Sequence, residues 1–257
     1  MNPVAAGFLA SLAAGLMTGV GALPVLVGTA VTRRANDVLL GLAVGVMLSA
    51  SFFSLLLPAI DTARESYGGD VLAAAIAVGG TVLGAAVIAA INEWVPHEHF
   101  SQGLHGPRSE ALARIWLFVI AITIHNAPEG LAVGVGFGAG DIAAGTTLAF
   151  GIGLQNMPEG LAVAVALRGS GYAKAHAFAI AGLTGLVEPI AGLAGAYAVS
   201  LSHVVLPWGL SFAAGAMIYV ISHEIIPETH RNGFARESTV GMIVGLVVMM
   251  FLDVAFG

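Results

Sequence analysis

The chain has 257 residues, of which 58% are apolar and 9% charged, and its net charge is −6. Ordinary soluble proteins carry about 25% charged residues, so this chain has too few charges to cover a soluble surface. One lysine and no cysteine exclude a basic nucleic-acid-binding face, thiolate metal sites and a disulfide-stapled domain. The composition is that of an integral membrane protein.

Eight mostly apolar stretches are each long enough to cross a bilayer, which takes about 20 residues. In chain order they run 4–31, 36–59, 70–95, 112–138, 141–167, 174–200, 204–226 and 237–256. The first stretch is too long for a cleavable signal and no basic segment precedes it, so we count it as a span. We therefore predict an all-α integral membrane protein with one transmembrane domain, residues 1–257.

The cationic side chains are distributed unevenly over the connections between these stretches. Eight of the nine fall in alternate connections: Arg33, Arg34, Arg108, Arg114, Arg168, Lys174, Arg231 and Arg236. Only Arg64 falls on the opposite side. Because cytoplasmic connections are enriched in Lys and Arg, we predict a multi-pass cell-membrane protein whose arginine-bearing loops are cytoplasmic and whose termini both face outward.

An internal duplication lies in the fourth and fifth stretches. Residues 125–135 read HNAPEGLAVGV and residues 155–165 read QNMPEGLAVAV, with eight of eleven positions identical. The offset of 30 residues is one span plus a tight turn, so the two copies cross in opposite directions. Inverted repeats are typical of carriers, whose substrate site lies near the bilayer midplane.

Each copy places polar side chains in the middle of an apolar stretch, where ionisable residues are rare and usually functional. His125 and Glu129 are four residues apart and share one helix face, and Gln155 and Glu159 repeat that spacing. A proline inside each copy cannot donate the helical backbone hydrogen bond, which predicts a kink beside the carboxylate. We interpret the duplicated motif, with its Pro-kinked antiparallel helices, as a binding site at the core.

Other stretches place polar or soft groups within the membrane. Glu188 lies in the middle of the sixth stretch, Met47 in the middle of the second, and His223 and Glu224 at the cytoplasmic end of the seventh. The central nitrogen and oxygen ligand set is then His125, Asn126, Glu129, Gln155, Asn156, Glu159 and Glu188. Its three carboxylates carry −3, so one divalent cation leaves −1 and two leave +1. Imidazole with carboxylate suits Zn²⁺ and its first-row neighbours.

Enzymes and ATP-driven pumps are excluded by the motifs that they would need. An intramembrane metalloprotease needs H-E-x-x-H, but the fifth position counted from His223 is Pro227. The serine-protease element G-x-S-x-G is not completed at Gly209, because Phe212 and Ala213 follow Ser211. The sequence also lacks a phosphate-binding loop. We expect no catalytic cofactor, and a metal ion would be the transported substrate.

The segments HNAPEG and QNMPEG, followed by VEPIAG at 187–192, resemble the signature of the ZIP (Zrt/Irt-like protein) divalent metal transporters. The resemblance extends over the whole chain and is strongest to the prokaryotic zinc and cadmium branch. It implies a homodimer that imports Zn²⁺ or Cd²⁺ by an elevator-like movement. Spans 1, 4, 5 and 6 would move against a scaffold of spans 2, 3, 7 and 8.

The resemblance also implies roles for individual residues. The family's binuclear site maps onto the central ligand set, with Met47 contributing from span 2. His223 and Glu224 correspond to residues on the exit side, near the cytoplasmic mouth. Close relatives can carry an acidic residue where this chain has Asn156, which weakens the argument for a second tightly held metal.

Several alternatives stay open on the sequence. The loop between spans 3 and 4 can capture released metal, or it can be an ordinary solvated loop; its histidines are His97, His99 and His105. A metal-selective channel with the same ligands is the alternative to a carrier. The ligand set admits Zn²⁺, Cd²⁺, Fe²⁺ and Mn²⁺ alike.

Overall fold

The computed structural model describes residues 2–28, 32–94, 97–99, 103–105, 114–169, 171–230 and 233–256. Within these ranges the chain forms eight long helices, a short 3₁₀ helix at His203–Val205 and one short hairpin. The helices are α1 (Pro3–Val27), α2 (Arg33–Tyr67), α3 (Asp70–Trp94), α4 (Arg114–Gly138), α5 (Ile142–Gly169), α6 (Lys174–Leu201), α7 (Leu206–Thr229) and α8 (Ala235–Phe256). The hairpin pairs β1 (His97–His99) with β2 (Gly103–His105) in antiparallel fashion. The predicted all-α architecture thus holds apart from this hairpin.

Six of these helices are long and apolar enough to cross a membrane, among the residues that the structure describes. The other two, α4 and α5, span 25 and 28 residues and carry the polar duplicated motif. Large apolar side chains stay exposed on the outer helix faces, including Val71, Val78, Val82, Phe150, Ile190 and Phe251. Exposure of this kind is expected where lipid covers the protein.

The ends of α1 and α2 differ from the predicted boundaries for local reasons. Helix α1 begins at the Asn2 side chain, whose Oδ1 accepts from Val4 N at 2.9 Å. It ends at Val27 rather than at residue 31, because Gly28 adopts a left-handed conformation (φ 80°) that closes the helix. Helix α2 continues to Tyr67, beyond the predicted 59, and Arg64 pairs with Asp61 at 2.9 Å in this polar last part.

Both α2 and α7 contain a π-helical turn, at Ala50–Leu56 and Ile221–Ile225. Each turn is closely followed by a proline, Pro58 in α2 and Pro227 in α7. Proline cannot donate a backbone hydrogen bond, so the helix is locally widened before it. The turn in α7 carries His223 and Glu224, which places both residues on a segment with irregular helix geometry.

Helix α6 consists of two halves, Lys174–Thr184 and Val187–Leu201, separated at Gly185 and Leu186. Pro189 has no N–H to donate to the Gly185 carbonyl, and Glu188 N donates to it instead, at 3.2 Å. The predicted sixth span is therefore discontinuous, and Glu188 lies in the first turn of its second half.

The eight helices pack as two groups. Helices α1, α4, α5 and α6 contact one another and form the motif bundle, which holds both copies of the repeat. Helices α2 with α8 and α3 with α7 form the flanking bundle. The two bundles meet where α2 lies against α5 and where α4 lies against α7. These contacts position the repeat at the centre of the molecule.

Some predicted features lie outside the described residues. Arg108 and Arg231, two of the cations used for orientation, belong to undescribed connections. The loop residues His97, His99 and His105 lie on β1 and β2, where the structure describes the backbone only. Metal binding by this loop therefore stays a prediction.

Candidate metal centre

The first copy of the motif lies in the middle of α4. Helix α4 runs through Pro128 without interruption, so the residues on either side keep their helical spacing. His125 and Glu129 lie one turn apart and are 3% and 0% exposed. Asn126, beside them, is 1% exposed, and neither its Nδ2 nor its Oδ1 has a hydrogen-bond partner. This helix turn thus presents an imidazole, an amide and a carboxylate to the interior.

The second copy occupies the corresponding part of α5, which likewise runs through Pro158. Gln155, Asn156 and Glu159 are all buried. Gln155 Nε2 donates to Glu129 Oε1 at 2.8 Å, which joins the two copies of the repeat directly. The two motif segments therefore meet at one site, as the antiparallel repeat predicts.

Glu188 joins the site from the second half of α6. It is fully buried, and its Oε1 accepts from Asn156 Nδ2 at 2.8 Å. Its place in the first turn of a 15-residue helical segment favours a negative charge, because the helix dipole is positive at that end. The break in α6 thus supports a buried charge.

Close helix approach at motif glycines brings these elements together. A Cβ on Gly130 would overlap the backbone of Glu188, and a Cβ on Gly160 would overlap the backbone of Thr18. Each copy of the repeat therefore uses its glycine to receive a different neighbour, α6 for the first copy and α1 for the second.

Helix α1 contributes a group that sequence reasoning missed. The Ala14 carbonyl accepts from Asn156 Nδ2 at 2.9 Å. A backbone carbonyl of alanine leaves no sequence signal. Thr18, one turn further on, is fully buried with no hydrogen-bond partner for its Oγ1, and a polar residue inside an apolar stretch could have pointed to this face of α1.

Glu224 lies against the central histidine. Its Oε2 contacts His125 Nε2, and its Oε1 accepts a hydrogen bond from Asn92 Nδ2 of α3. Glu224 is 2% exposed and touches a member of the central set. The exit-side role that the resemblance implies for Glu224 and His223 stays a prediction. His223 is partly buried and stacks on Tyr219, with the ring centroids 5.1 Å apart.

Met47 lies on α2, in the flanking bundle. It is fully buried and belongs to the main apolar core, together with residues such as Leu148, Ile152 and Met217. Its burial is consistent with either a ligand or a core side chain, so its assignment as a ligand stays a prediction.

Many polar atoms in this cluster are buried without a hydrogen-bond partner. They include Asn126 Oδ1, Glu129 Oε2, Gln155 Oε1, Asn156 Oδ1, both carboxylate oxygens of Glu159, and Glu188 Oε2. Glu159 also lies close enough to Glu129 and Glu188 to repel both. No Lys or Arg is among the partners of these three carboxylates in the described part of the chain. The cluster is therefore a set of electron-pair donors with uncompensated negative charge.

Two of the three carboxylates accept hydrogen bonds from amides in this arrangement. Within the described residues, no group of three or more His, Asp or Glu side chains is arranged to hold a metal ion. Gln155 and Asn156 instead donate to Glu129 and Glu188, and a cation would have to displace or rearrange such contacts.

In comparisons with known proteins, the chain matches zinc transporters. The family model described as "ZIP Zinc transporter" matches residues 96–253. The zinc transporter GufA of Myxococcus xanthus is 49% identical over 98% of this chain and 99% of its own length. The zinc transporter ZIPB of Bordetella bronchiseptica is 45% identical over 98% of this chain and 80% of its own. The human zinc transporter ZIP11 is 37% identical over 94% of both chains.

Proposed function

The chain belongs to the ZIP family of zinc transporters, and from this membership we propose that it carries divalent transition-metal cations, zinc foremost, into the cytoplasm through the site built by the duplicated motif. Proteins of this family are transporters, not enzymes. The resemblance noted in the sequence is thereby confirmed at the level of the family.

One observation carries the proposal: Glu159 is 1% exposed and neither of its carboxylate oxygens has a hydrogen-bond partner. Burying an ionised carboxylate costs several kcal/mol unless a counter-charge or hydrogen bonds compensate it, so a site of this kind needs a cation or a proton. Glu129 and Glu188 approach from the neighbouring helices and add to the negative potential. A divalent cation at Glu159 would neutralise the charges that the protein leaves uncompensated.

The chemistry of the donors favours zinc among such cations. The set offers carboxylate and amide oxygens with the imidazole of His125, and it contains no thiolate. Imidazole together with carboxylate suits Zn²⁺, while Mn²⁺ and Mg²⁺ prefer oxygen donors alone. Cadmium, iron and manganese are secondary substrates in this proposal.

We place the chain in the membrane with eight spans, α1 to α8, forming one transmembrane domain. At a rise of about 1.5 Å per residue, 25 residues cover about 37 Å, so α4 and α5 are also long enough to cross the hydrocarbon core. The polar motif that both helices carry is buried in the interior. The arginine-bearing connections face the cytoplasm and both termini face outward.

The two-bundle arrangement supports a carrier that works by alternating access. Every residue of the central set lies on the motif bundle. Glu224, which contacts His125, and Asn92, which donates to Glu224, lie on the flanking bundle. A movement of the motif bundle against the flanking bundle would carry the cation with its ligands, and a homodimer would anchor the flanking bundles. A channel with the same ligands would conduct without such a movement, and its flux would rise linearly with zinc concentration.

The test is zinc uptake into sealed proteoliposomes. We expect saturable uptake by the wild type and uptake at the level of protein-free vesicles for Glu129→Ala and Glu159→Ala. Glu237→Ala is the matched control, because Glu237 is partly exposed and pairs with Arg34 across the surface, at 3.3 Å. Undiminished flux in either motif variant would show that the metal path runs elsewhere. Linear, voltage-driven flux would favour the channel.

A further inference from the structure

The side-chain amide of Asn156 fills the part of the central site that lies beside Glu188. Asn156 is fully buried, and its Nδ2 donates to two acceptors, Glu188 Oε1 at 2.8 Å and the Ala14 carbonyl at 2.9 Å. Only the NH₂ end of a carboxamide can lie between two acceptors, so the contacts fix which end of Asn156 faces Glu188. The carboxylate of Glu188 is therefore bound by a donor that belongs to the protein.

The other amide of the site is held less firmly. Gln155 Nε2 donates to Glu129 Oε1 alone among its described hydrogen bonds, and its side chain has one more rotatable bond than that of asparagine. It can turn away from Glu129 at the cost of one hydrogen bond. Asn156 would have to give up two hydrogen bonds, and a flipped Asn156 would set its Oδ1 against the Ala14 carbonyl oxygen. The two halves of the repeat thus differ in their ability to admit a cation.

From this difference we infer that Asn156 limits the central site to one divalent cation per chain, and that its amide takes the place a second cation would hold beside Glu188. The inference rests on the proposed function and specifies the number of ions. The single cation lies on the side of Glu129, Glu159 and His125. Asn156 Oδ1 and Glu188 Oε2 stay available to it as oxygen donors.

The charge that remains after one cation binds has stabilising groups already in place. The carboxylates of Glu129, Glu159 and Glu188 carry −3, and one divalent cation leaves −1. That remaining charge falls on Glu188, which the Asn156 amide and the N-terminus of the second half of α6 both stabilise. A second cation beside Glu188 would compete with the Asn156 amide already in place.

The experiment counts the zinc bound per chain of purified protein. Central zinc is taken as the difference between each protein and the same protein carrying Glu159→Ala, so that zinc bound by loop histidines cancels. We expect one central zinc for the wild type and two for Asn156→Asp, because aspartate cannot donate to Glu188 or Ala14 and adds a carboxylate. X-ray absorption of Asn156→Asp should then show a metal–metal distance of about 3.5–4 Å that the wild type lacks.

Asn126→Asp is the matched control. It adds the same charge at the neighbouring buried asparagine, but the Asn126 amide has no acceptor, so no donor is removed from Glu188. We expect one central zinc for this variant. Two in the wild type, one in Asn156→Asp, or two in Asn126→Asp would each overturn the inference. If Asn156→Asp does not fold, the wild-type count decides. A wild type that binds no central zinc and transports none would refute the proposed function itself.

Discussion

Replacing Glu224 by glutamine would test how the flanking bundle acts on the central site. Glu224 Oε2 contacts His125 Nε2, while Oε1 accepts from Asn92 Nδ2. Glutamine has nearly the same volume, and its amide oxygen can still accept the hydrogen bond from Asn92. The substitution therefore removes the negative charge beside the imidazole and leaves the packing intact.

The expected effect is a loss of zinc affinity. A carboxylate on one ring nitrogen orients a histidine and makes the other nitrogen a better ligand, and loss of such a partner costs about 10–100-fold in metal affinity. That range corresponds to about 1.4–2.7 kcal/mol, at 1.36 kcal/mol per tenfold change. Glu224 is 2% exposed, so water does not screen the interaction.

The assay is competition for zinc between the purified protein and a chromophoric chelator, with Glu237→Gln as the control for a surface glutamate. We expect the Glu224→Gln dissociation constant to rise 10–100-fold while the thermal unfolding midpoint stays near the wild-type value. An unchanged dissociation constant would refute the reasoning, because the His125 contact would then have no effect on the metal. A loss far beyond 100-fold would also contradict it, since Glu224 would then be a direct ligand.

Two other predictions follow from the site and its packing. His125→Asn should weaken Zn²⁺ binding more than Mn²⁺ binding, because imidazole favours the borderline-soft ion, and wild-type zinc selectivity measured by competition would refute this. Gly160→Ala should lower the free energy of unfolding by about 1–3 kcal/mol, because the new methyl would overlap the Thr18 backbone, whereas Gly19→Ala has its nearest atom at 3.7 Å and should not destabilise. Thermal unfolding in detergent compares the two glycine variants, and equal midpoints would contradict the close approach.

The helices and the repeat could be predicted because both depend on local patterns. Apolar runs of membrane length correspond to α1–α8, and polar residues inside such runs are conspicuous enough to indicate the positions of His125, Glu129, Gln155 and Glu159. Helix ends were predicted less well. Gly28 closes α1 early, α2 continues through a polar last turn to Tyr67, and α6 is interrupted before Pro189. Hydropathy does not report such backbone effects.

Apolar runs, the distribution of charge and the repeated motif were therefore enough to identify the membrane class, the family and the residues of the duplicated motif. The tertiary structure decided which partners those residues meet. The Ala14 carbonyl that meets Asn156, and the Glu224 carboxylate that meets His125, come from other helices, and Asn92 of a third helix donates to Glu224. Such contacts depend on how each helix is rotated and how closely its small residues let it approach a neighbour. A backbone carbonyl, or a glutamate near a helix end, looks the same in the sequence whether or not it reaches the site.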